Sequence, residues 1–143
     1  MAITSAICNS FKVEILKGVH NFTQGGNTFR LALYTSSATL SKSTTVYITA
    51  NEVANGNGYT TKGAALTNVT PVLSSDTAVC DFADVSFTSA SFTARGCLIF
   101  NDTATNDPAV CAVDFGGDKT VSSGTFTIQF PAADASNAIV RIA

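Results

Sequence analysis

Few side chains in this sequence can do chemistry, and they are scattered. His20 is the only imidazole, so any Ser-His-Asp or Cys-His site would have to be built on it. It falls at the end of a predicted helix, where capping accounts for it. Close carboxylate pairs occur at Asp81/Asp84 and Asp114/Asp118, and paired carboxylates can hydrolyse glycosides. Asp81 and Asp84 flank a predicted turn, where Asp is an ordinary residue, and the chain has no Trp to serve as a sugar platform. No H-E-x-x-H, G-x-S-x-G or phosphate-loop pattern is present. The cysteines, Cys8, Cys80, Cys97 and Cys111, form no C-x-x-C pair of the kind zinc sites use. Cys80, Cys97 and Cys111 each lie in an apolar run and read as buried free thiols. The alternative is a Cys97–Cys111 disulfide between neighbouring strands, which a reducing compartment disfavours. Asn101, Asp102, Asn106 and Asp107 crowd one loop with oxygen ligands, but their spacing is not that of an EF-hand, so a loop of turn formers is the preferred reading. The expectation is therefore no catalytic residue, no metal and no cofactor.

The elements that carry these residues are mostly strands. Phe126, Ile128 and Phe130 alternate with Thr125, Thr127 and Gln129, a period of two that argues for a half-buried strand. Gly116-Gly117 and Pro131 read as turns on either side. Ala138–Ile142 is a further apolar run. Phe29, Leu31 and Leu33 share one face of a strand over Thr28–Thr35. Gly96–Phe100 is continuously apolar, as in a strand buried on both faces. Further strands are expected over Thr44–Thr49, Tyr59–Leu66, Val69–Leu73, Ala78–Ala83, Val85–Phe87 and Ala109–Phe115. Pro71 places its strand at an edge or a bulge. Asn51-Glu52-Val53 suggests a turn of helix, and Asn55-Gly56-Asn57-Gly58 and Ser74-Ser75-Asp76 suggest turns. Before all of these, Ile7, Phe11, Ile15, Leu16 and Val19 recur at helical spacing, predicting a helix over about 4–19 capped by Thr4 or Ser5. That stripe packs on its own core in the preferred reading and docks on a partner subunit in the rival one. One domain over 1–143 is expected: an all-β, jelly-roll-like antiparallel β-sandwich with one N-terminal α-helix.

Composition narrows the partners. Only 13% of the 143 residues are charged, against about 25% in an average domain, so the surface is built from Thr, Ser, Asn and Ala. Such a surface is less costly to desolvate against another protein. The net charge is -2, the pI is about 5.1, and no Lys/Arg cluster offers the basic stripe that nucleic acid requires. No apolar run approaches the ~20 residues of a membrane-spanning helix, and the first residues lack the pattern of an export signal. Direct binding to nucleic acid or membrane is not expected.

The runs Ile7–His20, Phe29–Thr35 and Phe92–Gly96, with the stretch Asp114–Ala143, resemble a small virion structural protein widespread among tailed bacteriophages. By size and β-rich character the chain is similar to capsid decoration, or cement, proteins. The resemblance implies a protein made in the host cytoplasm and carried on the capsid surface of the virion. It implies a homo-oligomer, dimer or trimer, that bridges copies of the major capsid protein. Loops held on a rigid sheet are the natural contacts. The candidates are Thr23, Gln24 and Asn27 in Thr23–Asn27, Ser36 and Lys42 in Ser36–Ser43, and Asn101, Asp102, Asn106 and Asp107 in Asn101–Pro108. A neck or tail part, including a glycan- or receptor-binding module using Tyr34, Tyr47 or Tyr59, is the alternative. A small hydrolase is the second.

Overall fold

The structure, a computed structural model, describes residues 2–143. Its elements are β1 (Ala6–Ile7), α1 (Asn9–Leu16), β2 (Phe29–Tyr34), β3 (Ala64–Ala65), β4 (Asn68–Ser74), β5 (Thr77–Phe82), β6 (Val85–Asn101), β7 (Ala109–Ile128) and β8 (Val140–Ile142). They form two antiparallel sheets, in the orders β1-β7-β6-β2-β3 and β4-β5-β8. With one short helix, this is the all-β sandwich that the strand spacing predicts. The sheets meet through aromatic rings. Phe22 stacks on Phe29 at 4.3 Å, and Phe82 of β5 touches both Phe29 and Phe130. Each such buried ring contributes about 2–3 kcal/mol of transfer free energy.

The centre of the larger sheet is the β2–β6 pair, registered from Phe29↔Asn101 to Tyr34↔Gly96. Gly96–Phe100 is buried throughout, as its unbroken apolar run requires. β6 and β7 form one long hairpin instead of the several short strands expected. Gly116-Gly117 is accordingly not a turn. Ala94 pairs with Lys119 while Gly96 pairs with Asp114, so five steps on β7 match two on β6. The surplus residues bulge, and Gly116 takes the left-handed φ of +82° that only glycine adopts freely. The ribbon bends there and carries Phe126–Phe130 back over the sheet.

Four other expectations are corrected. The helix is eight residues, not sixteen. Ala6 and Ile7 pair with Ala112 and Cys111 of β7, so the chain before Cys8 is extended and neither Thr4 nor Ser5 caps the helix. Cys8 occupies the N-cap position without a side-chain cap. The helix ends in a Schellman motif, Gly18 N–H to Ile15 O and Val19 N–H to Glu14 O. Thr44–Thr49 is not a strand. Tyr47 N–H and Ala109 N–H tie it to the start of β7, but β1 takes the β7 edge from Val110 onwards. Glu52 is not helical but bridges Tyr34 at the end of β2. Tyr59–Leu66 yields only the two residues of β3, because Lys62 and Gly63 both have positive φ. Pro71 does sit on an edge strand, beside a bulge between Val69 and Val72.

Candidate functional site

Asn101 organises the end of the sandwich where most of the candidate contact residues lie. It is fully buried and makes all four of its side-chain hydrogen bonds. Its Oδ1 accepts from the N–H groups of Thr103 and Ala104. Its Nδ2 donates to Asn27 Oδ1 and to His20 Nδ1. Asn101 therefore builds the surface from beneath and is not a contact residue. The two loops are stitched together further by Thr28 N–H to Thr103 Oγ1 and Asp102 N–H to Thr28 O.

His20 is not a helix cap, contrary to expectation. Its ring is buried between Phe11 and Phe29 and links two elements. Because Asn101 donates to Nδ1, Nε2 carries the hydrogen and donates to Glu14 Oε1 at 3.0 Å. Both ring nitrogens are engaged within the fold.

A second anchor is Lys62. Its Nζ lies 3.0 Å from Asp102 Oδ1 and 2.8 Å from Asp107 Oδ2, and those contacts, Asp107's first, raise its pKa. The two carboxylates read from sequence as possible oxygen ligands thus already share a cation. Lys62 is held by Glu52, whose Oε2 accepts from the Lys62 N–H and from the Tyr59 hydroxyl. Glu52 Oε1 accepts from the Tyr47 hydroxyl at 2.5 Å. Burial, then the Glu52 carboxylate, pushes the Tyr59 and Tyr47 phenols well above their usual range. Asn106 and Asp107 close the 101–108 turn with φ of 69° and 49°.

The remaining candidates divide. Thr23, Gln24 and Asn106 are exposed beside one another's loops, and Asn27 is half-buried beneath them. Ser36 follows the far end of β2, opposite Thr28, so it does not share this surface. Lys42 is exposed near the helix start, where its carbonyl accepts the Asn9 N–H. Sequence reasoning missed Lys62, Glu52 and His20 as the organisers. A lone Lys or Glu in a polar stretch gives no signal of the partner it will meet 40 residues away.

The other chemical candidates serve the backbone. Asp81 and Asp84 accept the N–H groups of Phe82 and Phe130. Asp114 takes Arg95 and the Gly116 N–H, and so supports the bulge. All four thiols are free. Burial pushes Cys97 up to about 12 and Cys80 up to about 11, which keeps both as thiols at neutral pH. A cleft of about 460 Å³ lies between the sheet and the returning segment, floored by Leu31, Cys97 and Ile99 and walled by Phe115, Phe126 and Phe130. Its lining contains no carboxylate and no imidazole. Tyr34 and Tyr59 are buried and Tyr47 is half-buried, so they form no exposed aromatic platform. Comparison with protein-family models, curated proteins and solved structures finds no match.

Proposed function

We propose that this protein is a non-enzymatic structural component of a tailed-bacteriophage virion, a capsid decoration protein that bridges major capsid protein subunits as a dimer or trimer. The reading rests on the resemblance carried by Ile7–His20, Phe29–Thr35, Phe92–Gly96 and Asp114–Ala143. The observation that carries it is the 23–27 and 101–107 surface. Its backbone is held by Asn101, and its two carboxylates, Asp102 and Asp107, share the single ammonium of Lys62. A surface that is already ordered loses little entropy on binding. Many copies bound at several points add avidity, so single contacts can be weak.

A bridge stabilises a shell because separating the subunits must also break its contacts. With so few charges on this surface and Lys62 offsetting one of its two carboxylates, little Coulomb attraction is there to screen, so binding through it is only mildly salt-dependent. The test strips the protein from particles, rebinds it at increasing salt and heats both forms. Decorated capsids are expected to release DNA at a higher temperature than stripped ones. Equal release temperatures would remove the cement role. Finding the chain only at the tail by electron microscopy would transfer it to the neck or tail reading.

A further inference from the structure

Helix α1 buries little of its apolar stripe. Of its residues only Phe11 is fully buried, and Leu16 is 89% exposed. Between α1 and β8 lies a groove of about 360 Å³, lined by Phe11, Ile15, Leu16, Val140 and Ile142. The polar residues in that lining are Lys12 and Arg141, both cationic, and no carboxylate faces in. Glu14, the one acid on α1, is turned to His20. Lys12 reaches only Asn9 Oδ1, and Arg141 donates to the Ala135 carbonyl. Asp134, which does not line the groove, is held by Asn137 and by backbone N–H groups, and its charge also acts on Arg141. This chain has only eight Lys and Arg in all, so two cations without an acid in one apolar groove mark a local bias of charge.

The groove also runs beside backbone able to bind. β8 is the last strand of its sheet, so one of its edges carries no strand partner among the described residues. An extended segment can add to such an edge, with main-chain hydrogen bonds supplying affinity and alternate side chains supplying specificity. Alternation puts every second side chain on one face. A segment in which apolar residues alternate with Asp or Glu would set the former against Ile15, Leu16 and Ile142. Its carboxylates would meet Lys12 and Arg141.

We propose that the α1–β8 groove is a docking site for an extended, acidic, apolar-alternating peptide segment of another protein. Positive charge at the rim of an apolar groove favours acidic segments and disfavours basic ones, because like charges brought together across an interface repel. The site shares no residue with the 23–27 and 101–107 loops and stands whether or not those loops bind a capsid.

The probe is a fluorescein-labelled synthetic peptide alternating aspartate with leucine, and a control in which lysine replaces aspartate. Fluorescence anisotropy should rise with the acidic peptide and not with the control. Leu16→Asp should weaken binding at least tenfold, about 1.4 kcal/mol. Lys12→Glu with Arg141→Glu should reverse the preference towards the lysine peptide. All three side chains are solvent-facing, so circular dichroism is expected to stay native. No anisotropy change with the acidic peptide overturns the proposal, as does equal binding by Leu16→Asp. Two further results would assign the groove elsewhere and overturn it equally. One is flotation with phosphatidylglycerol vesicles, lost in Leu16→Asp, which makes it a membrane face. The other is loss of an oligomer in Leu16→Asp by light scattering, which gives it to a second copy.

Discussion

Glu52 illustrates how one carboxylate can hold several segments. Its two oxygens accept from Tyr47, Tyr59 and the Lys62 backbone, and Lys62 in turn holds Asp102 and Asp107. Glu52→Ala would leave two phenols and an N–H without their acceptor. The expected loss is about 3 kcal/mol, since hydrogen bonds to a charged group contribute about 1.5–3 kcal/mol each and water replaces part of them. Urea denaturation with an unchanged m-value checks it. The same cluster sets a pH dependence. Folding raises the phenol pKa values of Tyr34, Tyr47 and Tyr59, burial being the largest cause in each. Above the unfolded value of about 10, the unfolded chain gives up phenolic protons that the folded chain retains, so the stability these groups contribute is full below that pH and falls as pH rises. Alkaline unfolding should therefore coincide with the tyrosinate absorbance step at 295 nm. A tyrosinate step that precedes loss of structure would contradict the assignment.

At the scale of elements, short strands are made sufficient by side chains and loops that tie them. β3 has two residues, yet Arg30 of β2 reaches past it to donate to the Lys62 and Gly63 carbonyls. Gly63 lies against β2 so closely that a Cβ built there would stand 1.8 Å from the Leu31 carbonyl oxygen, and its φ is +71°. Gly63→Ala must push the 52–63 loop off the sheet, and with it Glu52 and Lys62. The expected result is a loss of more than about 3 kcal/mol, combining overpacking with left-handed strain. Ala65→Gly, two residues further on in β3 and exposed, is the control, expected to cost about 1 kcal/mol. Equal melting temperatures for Gly63→Ala and the parent chain would contradict the close approach. The β6–β7 ribbon follows the same logic, with Asp114 holding the bulge that bends it.

For the whole molecule, the exposed apolar residues concentrate on the smaller sheet and the helix beside it. β4 is an edge strand of seven residues without a charged side chain, and Val69, Val72 and Leu73 on it are exposed. Soluble proteins usually guard such edges with charge, prolines or bulges, and here Pro71 and its bulge are the only guards. An uncharged edge suits the self-association proposed for this chain. Leu73→Glu should convert the oligomer to a monomer by light scattering while leaving the circular dichroism unchanged. An unchanged mass would place the contact elsewhere. The 23–27 loop adjoins this edge, since the Gln24 N–H donates to Thr70 Oγ1 and Asn68 Nδ2 donates to the Thr23 carbonyl, so contacts made by β4 and by the loop lie side by side.

The fold class and several of the chain's breaks could be read from neighbouring residues alone. Alternation over Phe29–Leu33 and the apolar run Gly96–Phe100 were legible because a strand's period of two, or an unbroken run, shows in a few neighbouring residues. So were the edge position of Pro71 and the turn at Ser74-Ser75-Asp76, where Ser75 has a φ of 56°. Long-range choice was not legible. Whether Gly116-Gly117 turns the chain or bulges within it depends on β6 lying alongside, and β6 is Asn101-side sequence far from that pair. Ala6–Ile7 carries helical spacing, yet β7 offers a free edge there and its hydrogen bonds win over weak helix propensity. Asn101 looked like a surface turn former, and only folding brings His20, Asn27 and its own loop around it. A polar side chain is buried when every one of its hydrogen bonds can be made, and that condition is met by residues up to 81 positions away, which only the tertiary structure assembles.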